Sequence, residues 1–202
     1  MIKAIIFDVD GVLFHSTDSS GKFLWSRDAK NDLGLTSAHF QNIFSKNWEL
    51  VLKGTVNTIE YLDSLFKTQN FSDLNLTSSR FIKYWLSKDK FVNEEMIKLI
   101  KTIKIPKYIA TNQESHRLKQ IENLVGQDFC GIFASCELGY MKPEDEFYLC
   151  IENELNIPGN QILFIDDMLS YVDAANKRGW LSYHYQNDLS KLVDFTKKHL
   201  VI

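Results

Sequence analysis

Residues 4–11 of the chain read AIIFDVDG, an apolar run that meets two acids and a glycine without a break. Short apolar runs of this kind are typical of strands that are buried on both faces of a parallel sheet. Further segments share this character, namely residues 108–110, 131–134, 162–165 and 181–184. Stretches with helical periodicity lie between them. The alternation predicts an α/β fold with a Rossmann-like, doubly wound parallel sheet.

The helical stretches of this alternating part carry start and stop signals. Asn93 precedes the first of them as an N-cap, and Pro143 opens the third. Gly126 and Gly179 follow the second and the fourth. The predicted helices cover residues 94–104, 114–125, 144–155, 168–178 and 188–199.

Residues 17–90 interrupt this rhythm. They contain no apolar run of the strand type, and apolar residues recur instead at helical spacing, as at Ile59 and Leu62. We therefore expect a small all-helical cap at residues 17–90, inserted after the first strand of an α/β core that comprises residues 1–16 and 91–202. The aromatic residues of the cap are expected to be mostly core, with a minority free to line a pocket facing the sheet. They include Trp25, Phe40, Phe44, Trp48, Phe81, Tyr84 and Trp85.

Length and composition restrict the class of protein. At 202 residues the chain has room for one domain with an insertion, and 45% apolar and 24% charged residues are ordinary for a globular protein. A formal net charge of −3 gives no electrostatic reason to expect a nucleic acid or an anionic membrane as partner. The cysteines lack metal-ligand spacing, no apolar run reaches the length of a membrane span, and the first residues do not read as a signal peptide. We expect a cytoplasmic protein with a small-molecule partner; the sequence does not indicate its oligomeric state.

Chemically reactive side chains follow several of the predicted strands. In an open parallel sheet, ligands bind outside the carboxyl ends of the strands, so these residues are expected to meet at one edge. They are Asp8 and Asp10 after the first strand, Thr111 and Asn112 after the second, Lys142 after the third, and Asp166 and Asp167 after the fourth. Clustered carboxylates either share protons or hold a cation, and Mg²⁺ prefers one or two protein carboxylates, several waters and a substrate phosphate. The pattern therefore predicts a magnesium site that acts on phosphate.

The residue types at this edge also suit phosphate chemistry. Lys142 supplies a positive charge and Thr111 a hydroxyl donor for phosphoryl oxygens. Asp8 and Asp10 stand two positions apart, and Gly11 permits a sharp turn directly after them. One acid can then attack phosphorus while the other gives a proton to the leaving oxygen and later takes one from water.

Together these segments resemble the signature motifs of haloacid-dehalogenase-like hydrolases, specifically the phosphatase type with a helical cap. The motifs are DVDGVL at residues 8–13, ATN at 110–112, KP at 142–143 and FIDD at 164–167. Any one of them is a weak signal, but all stand in the family's order, with the cap in the long interval between the first two. The resemblance covers essentially the whole chain.

The resemblance implies a role for each matching residue. Asp8 would be the nucleophile, and Asp10 would be the general acid and base and would offer its backbone carbonyl to the metal. Thr111 and Lys142 would stabilise the phosphate and the covalent intermediate. Asp166 would complete the Mg²⁺ site.

Three neighbouring residues have lesser implied roles. Gly11 and Asn112 are expected beside the phosphate, Asn112 as a hydrogen-bond donor. Asp167 is expected at the metal, where it either acts through a metal-bound water or steadies Lys142. The chain departs from many relatives at residues 170–171, which read SY where an acid or asparagine is common.

The expected function is that of a Mg²⁺-dependent phosphatase that hydrolyses a small phosphorylated metabolite, for example a sugar phosphate, through an aspartyl-phosphate. Two alternatives stay open at this point. A phosphosugar mutase would use the same core to move phosphate between two positions of a sugar. A catalytically silent member of the family would instead serve as a binding or regulatory module.

Overall fold

The computed structural model describes residues 1–200, and its centre is a five-stranded sheet. Its strands are β1 (Ala4–Phe7), β2 (Lys107–Thr111), β3 (Gly131–Ala134), β4 (Ile162–Asp166) and β5 (Leu181–His184). They lie in the order β3-β2-β1-β4-β5 and pair in parallel throughout. The chain therefore builds outward from β1 to one edge and then crosses to the other side. This is the doubly wound α/β fold that the sequence predicts, and the prediction is confirmed.

Helices surround the sheet and fill the insertion after β1. In the insertion they are α1 (Ala29–Leu33), α2 (Ser37–Ile43), α3 (Trp48–Leu52), α4 (Thr58–Phe66) and α5 (Ser78–Lys88). After it come α6 (Glu94–Thr102), α7 (Ser115–Val125), α8 (Ser135–Leu138), α9 (Asp145–Leu155), α10 (Leu169–Lys177) and α11 (Leu189–His199). Within residues 1–200, none of the helices has the length and apolar character that a bilayer span requires.

The central strand β1 is buried on both faces because helices cover the sheet from both sides. Successive side chains of a strand point in opposite directions. Ile5 and Phe7 accordingly pack in one apolar cluster with α6, α7 and α11, whereas Ile6 packs in another with α9 and α10. This burial explains why the strand reads as a continuous apolar run rather than an alternating one.

The helix bounds agree with the sequence prediction to within one or two residues. The largest difference is at α6, which ends at Thr102 rather than at residue 104. Ile103 has an extended backbone, with ψ at 130°, and Pro106 follows shortly afterwards. The chain must straighten here to enter β2, and this requirement overrides the apolar periodicity that continues beyond the helix.

The inserted helices bury an apolar cluster of their own. Its members include the buried aromatic residues Trp25, Trp48, Phe66, Phe71, Phe81 and Trp85. Residues 17–90 contain α-helices, two short 3₁₀ turns and no strand, as the periodicity of this segment predicts. The division of the chain into a cap at residues 17–90 and a core on either side of it stays a prediction.

The insertion leaves β1 and returns to α6 through two adjacent antiparallel segments. The backbone N–H of His15 donates to the carbonyl of Phe91, and that of Asn93 donates to the carbonyl of Leu13, both at 2.8 Å. The side chain of Asn93 caps α6 and donates to the carbonyl of Val12 at 3.1 Å. These bonds fix both ends of the insertion beside the carboxyl end of β1.

Candidate active site

Three carboxylates meet at the carboxyl edge of the sheet. β1 and β4 are neighbours, with Phe7 in register with Ile165, so the residues that follow lie side by side. Asp8 and Asp166 are buried and Asp167 is half-buried. Each offers an oxygen within 4.8 Å of the others. The structure therefore brings together the acids that the sequence assigns to a metal site.

Lys142 enters this cluster from the loop after α8. Its side chain is 1% exposed, and its Nζ donates to Asp8 Oδ1 and to Asp166 Oδ2, each at 2.7 Å. The third bond goes to the backbone carbonyl of Ala110 at 3.0 Å. Burial alone would lower the pKa of Lys142, but the charges of Asp8 and Asp166 outweigh it and raise that pKa. Lys142 is therefore a fixed positive charge at the nucleophile predicted from the sequence.

Asn112 and Tyr171 fix the position of this lysine. The Asn112 side chain donates to the backbone carbonyl of Lys142 at 2.9 Å and accepts from its N–H at 2.8 Å. Nδ2 of Asn112 also donates to the hydroxyl of Tyr171 at 3.4 Å, and the ring centre of Tyr171 lies 5.1 Å from Lys142 Nζ. Asn112, which the sequence predicts to bind phosphate, thus forms hydrogen bonds with the backbone of the loop that carries Lys142. Tyr171 therefore places an aromatic ring beside the ammonium of Lys142.

The electrostatics of the cluster favour a divalent cation. Three carboxylates and one ammonium leave an excess of negative charge in a largely buried place. Burial raises the pKa of Asp8, Lys142 opposes this only in part, and the charge of Asp166 adds to the rise. Burial and the charge of Asp166 likewise raise the pKa of Asp167 to about 6. A hard cation bound by these oxygens would stabilise their charged forms against both the burial and the repulsion that raise the pKa values.

Gly11 makes room for one of these acids. Its backbone is left-handed, with φ at 81°, and a Cβ atom at this position would lie 2.2 Å from Asp167 Oδ2. Any side chain at Gly11 would displace the Asp167 carboxylate. The donor set and this space together fit a small, oxygen-binding ion.

A cavity of about 240 Å³, the reaction cavity, opens onto these groups. The predicted site residues in its wall are Asp8, Asp10, Gly11, Thr111, Asn112, Lys142 and Asp167. Asp166 lies directly beneath them and is fully buried. All the residues that the sequence assigns to the site therefore lie at one place.

Asp10 is held by side chains that the sequence analysis does not single out. Arg117 donates to both of its oxygens, from Nη1 at 2.8 Å and from Nη2 at 2.9 Å. Gln113 donates from Nε2 at 2.5 Å, and the Ser16 hydroxyl also donates to Asp10. Burial raises the pKa of Asp10, but the charge of Arg117 and these hydrogen bonds outweigh it and lower that pKa. In this arrangement Asp10 is a carboxylate.

Arg117 also connects Asp10 to the inserted segment. Its Nε donates to Asp89 Oδ2 at 2.6 Å, and the indole of Trp85 donates to the same oxygen at 3.1 Å. Asp89 directly follows α5, whereas Arg117 lies in the first turn of α7. A cation in the first turn of a helix opposes the helix dipole, so Arg117 stands at an unusual position, but the sequence does not show which carboxylates it pairs with.

A model of the haloacid dehalogenase-like hydrolase family matches residues 2–177. The chain belongs to this family. Among curated proteins it is similar to the sesquiterpene phosphatase astK of Aspergillus oryzae, with 26% identity over 200 residues that cover 95% of this chain and 94% of that protein. Bifunctional epoxide hydrolase 2 of Mus musculus is 24% identical over 216 residues, which cover 97% of this chain but 38% of that protein.

Solved structures share the fold. A HAD family enzyme from Bacteroides thetaiotaomicron, in complex with magnesium and inorganic phosphate, has a TM-score of 0.78 at 18% identity and covers 95% of this chain and 99% of that one. L-2-haloacid dehalogenase from Xanthobacter autotrophicus has a TM-score of 0.68 at 16% identity, and the match covers 100% of this chain and 85% of that one. The resemblance based on the four motifs is thus confirmed, and the chain is a hydrolase of this family.

Proposed function

We propose that this hydrolase is a Mg²⁺-dependent phosphatase that acts on a phosphorylated small molecule through an aspartyl-phosphate on Asp8. The observation that carries the proposal is the group of carboxylates of Asp8, Asp166 and Asp167 around the buried ammonium of Lys142. The phosphatase among its relatives supports the reaction class, and the Bacteroides structure with magnesium and inorganic phosphate supports the choice of ion.

The residues that would hold Mg²⁺ are Asp8, Asp166 and Asp167, together with the backbone carbonyl of Asp10. Bound Mg²⁺ neutralises negative charge, so that an anionic phosphate and an anionic nucleophile can approach each other. Lys142 contributes a second positive charge from the protein itself. Thr111 is the hydroxyl that we assign to a phosphoryl oxygen, because it is buried at the end of β2 and lines the reaction cavity.

Asp8 is assigned as the nucleophile. Lys142 binds its Oδ1, so Oδ2 is the oxygen that we expect to attack phosphorus. The new O–P bond forms as the bond from phosphorus to the leaving oxygen breaks, which yields an aspartyl-phosphate and an alcohol. Water then attacks phosphorus, the bond to Asp8 breaks, and inorganic phosphate is released.

Asp10 is assigned to move the protons of both steps. It gives a proton to the leaving oxygen in the first step and takes one from the attacking water in the second. The ion pair with Arg117 keeps Asp10 as a carboxylate, which suits the second step. The first step requires a protonated Asp10, and hence the loss of at least one of the hydrogen bonds that its oxygens accept from Ser16, Gln113 and Arg117.

Phosphate release from a panel of phosphomonoesters, with and without Mg²⁺, tests this proposal. We expect release to require Mg²⁺ and Asp8→Asn to lower kcat by about 1,000-fold or more. The matched control is Asp173→Asn, which changes an exposed acid on α10 in the same way and should leave kcat unchanged. Equal release by Asp8→Asn would refute the assigned nucleophile. Isomerisation of a sugar phosphate without release of free phosphate would favour a phosphosugar mutase. The absence of any turnover would favour a catalytically silent binding or regulatory module.

A further inference from the structure

A second cavity, of about 220 Å³, adjoins the reaction cavity. On the side of the insertion its apolar wall consists of Phe23, Trp25, Phe44, Trp48, Leu52 and Trp85, and we call this cavity the aromatic chamber. The two cavities share Asp10, Ser16, Phe23 and Asn112 in their walls. A molecule with its phosphate in the reaction cavity would therefore extend its other end into the aromatic chamber.

The aromatic rings of the chamber support one another. The ring centres of Phe44 and Trp48 are 5.3 Å apart, and those of Trp25 and Trp85 are 5.6 Å apart. Phe23 lies 5.6 Å from Phe44 in an edge-to-face contact. Rings packed at such distances form a stiff apolar surface that is already shaped before a ligand arrives.

The inserted helices contribute almost no polar group to this wall. Besides the indole N–H groups of its tryptophans, the insertion contributes one polar side chain to the chamber, that of Asp89. Its carboxylate already accepts from Arg117 and from the indole of Trp85. At the floor of the chamber, Arg117 and Gln113 donate to Asp10. The hydroxyl groups of a bound sugar would therefore find few partners, and leaving them unpaired is unfavourable.

We propose that the aromatic chamber binds the apolar part of the substrate, so that this enzyme hydrolyses the monophosphate of a hydrophobic alcohol. The inference rests on the proposed phosphatase function and adds the chemical class of the leaving group. A hydrocarbon chain or ring gains by leaving water for an aromatic wall, and it needs no hydrogen bonds there. The hydroxyl groups of a sugar phosphate of similar size would lose their hydrogen bonds to water there and gain few from the protein.

The first test compares kcat/KM for octyl phosphate and glucose 6-phosphate in the presence of Mg²⁺. We expect kcat/KM to be about 100-fold or more higher for octyl phosphate, because the chamber offers contacts to the octyl chain and few hydrogen-bond partners to the sugar. Equal kcat/KM values for the two esters would overturn the inference and leave the phosphatase function standing. No hydrolysis of either ester, or of any other phosphomonoester, would overturn both.

A matched pair of variants shows whether the chamber sets the preference. Phe40 and Phe44 are both half-buried, both pack against Trp25, and their rings are parallel with centres 6.3 Å apart. Phe44 lines the chamber, whereas Phe40 does not. Phe44→Ala should therefore lower the octyl preference by about 10-fold or more, mainly through KM, and Phe40→Ala should retain it. Equal losses in the two variants would refute the chamber as the binding site.

A binding measurement tests the same inference without turnover. Three of the four tryptophans, Trp25, Trp48 and Trp85, line the chamber, so an apolar ligand bound there should change the intrinsic fluorescence. Octylphosphonate carries a C–P bond in place of the hydrolysable ester bond. With Mg²⁺ present, we expect it to bind at least about 10-fold more tightly than methylphosphonate. Equal affinities of the two phosphonates would overturn the inference.

Discussion

Arg117 bridges two carboxylates from different parts of the chain, Asp10 after β1 and Asp89 after α5. Its guanidinium forms two parallel hydrogen bonds with Asp10, a geometry that a lysine ammonium does not reproduce. Asp10 must be aimed at the leaving oxygen to transfer its proton. Arg117 is therefore a positioning residue for the proton transfer that we assign to Asp10.

The substitution Arg117→Lys tests this role. We expect kcat to fall by about 10- to 100-fold, because a catalytic group misplaced by a fraction of an ångström reacts more slowly. The free energy of unfolding should fall by about 1.5–3 kcal/mol, since hydrogen bonds to buried charges are lost. Steady-state kinetics and urea unfolding measure the two effects.

The matched control for this prediction is Arg178→Lys. Arg178 also donates to two carboxylates, those of Asp145 and Glu152, but no atom of it lines the reaction cavity or the aromatic chamber. This variant should keep the kcat of the wild type. If both substitutions reduce kcat equally, the effect is a general loss of stability and Arg117 has no special part in the reaction.

Gly11 allows a second prediction about a single residue. Gly11→Ala introduces a methyl group where the Asp167 carboxylate lies, and we expect the Mg²⁺ concentration for half-maximal activity to rise by about 10-fold or more. Gly179→Ala is the control, because Gly179 has a similar φ of 85° but a Cβ there has no atom within 4 Å. Both variants carry the backbone strain of about 1–2 kcal/mol. An unchanged Mg²⁺ requirement in Gly11→Ala would contradict the proposed place of the ion.

The site residues differ in how far the sequence predicts them. Asp8 directly follows β1, Asp166 ends β4, and Lys142 lies in the loop that follows β3 and α8. They can be predicted because parallel strands end at a common edge. Arg117 and Asp89 cannot, because they become neighbours only when α5 packs against α7. The sequence also does not reveal that the Asn112 amide binds the backbone of Lys142.

Among the helices, α6 has an N-cap residue, Asn93, that also forms a hydrogen bond outside the helix. Asn93 accepts from the N–H of Met96 in α6 and donates to the carbonyl of Val12, so it joins the helix to the turn between β1 and the insertion. Asn57 caps α4 within the insertion by accepting two backbone N–H groups. The sequence predicts the cap of α6 from residue type and position, but it does not predict the bond to Val12.

We expect Asn93→Ala to lower the free energy of unfolding more than Asn57→Ala does. Loss of a cap alone costs about 1 kcal/mol, and Asn93→Ala also leaves the buried carbonyl of Val12 without its side-chain donor, for a total of about 2 kcal/mol or more. Urea unfolding of the two variants measures the difference. Equal losses would mean that the bond between Asn93 and Val12 contributes nothing to stability.

For the molecule as a whole, the fold class follows from alternating apolar runs and helical periodicity, but the position of the inserted helices relative to the sheet does not. Thr58 in α4 donates to Glu114 at 2.6 Å, and Ser135 donates to the carbonyl of Leu52 at 2.6 Å. These contacts join residues that are far apart in the chain. They hold the inserted helices over the edge of the sheet, and the aromatic chamber exists because of that placement.

The central claim is that Asp8 and Asp166 share a divalent cation next to Lys142. A crystal structure of the wild-type protein with Mn²⁺, which takes the same oxygen ligands as Mg²⁺ and scatters anomalously, tests it most directly. We predict an anomalous peak about 2.1 Å from a carboxylate oxygen of each of these two aspartates. At saturating Mn²⁺, a map with no peak between them, or with Mn²⁺ bound only to acids elsewhere on the surface, would contradict the account.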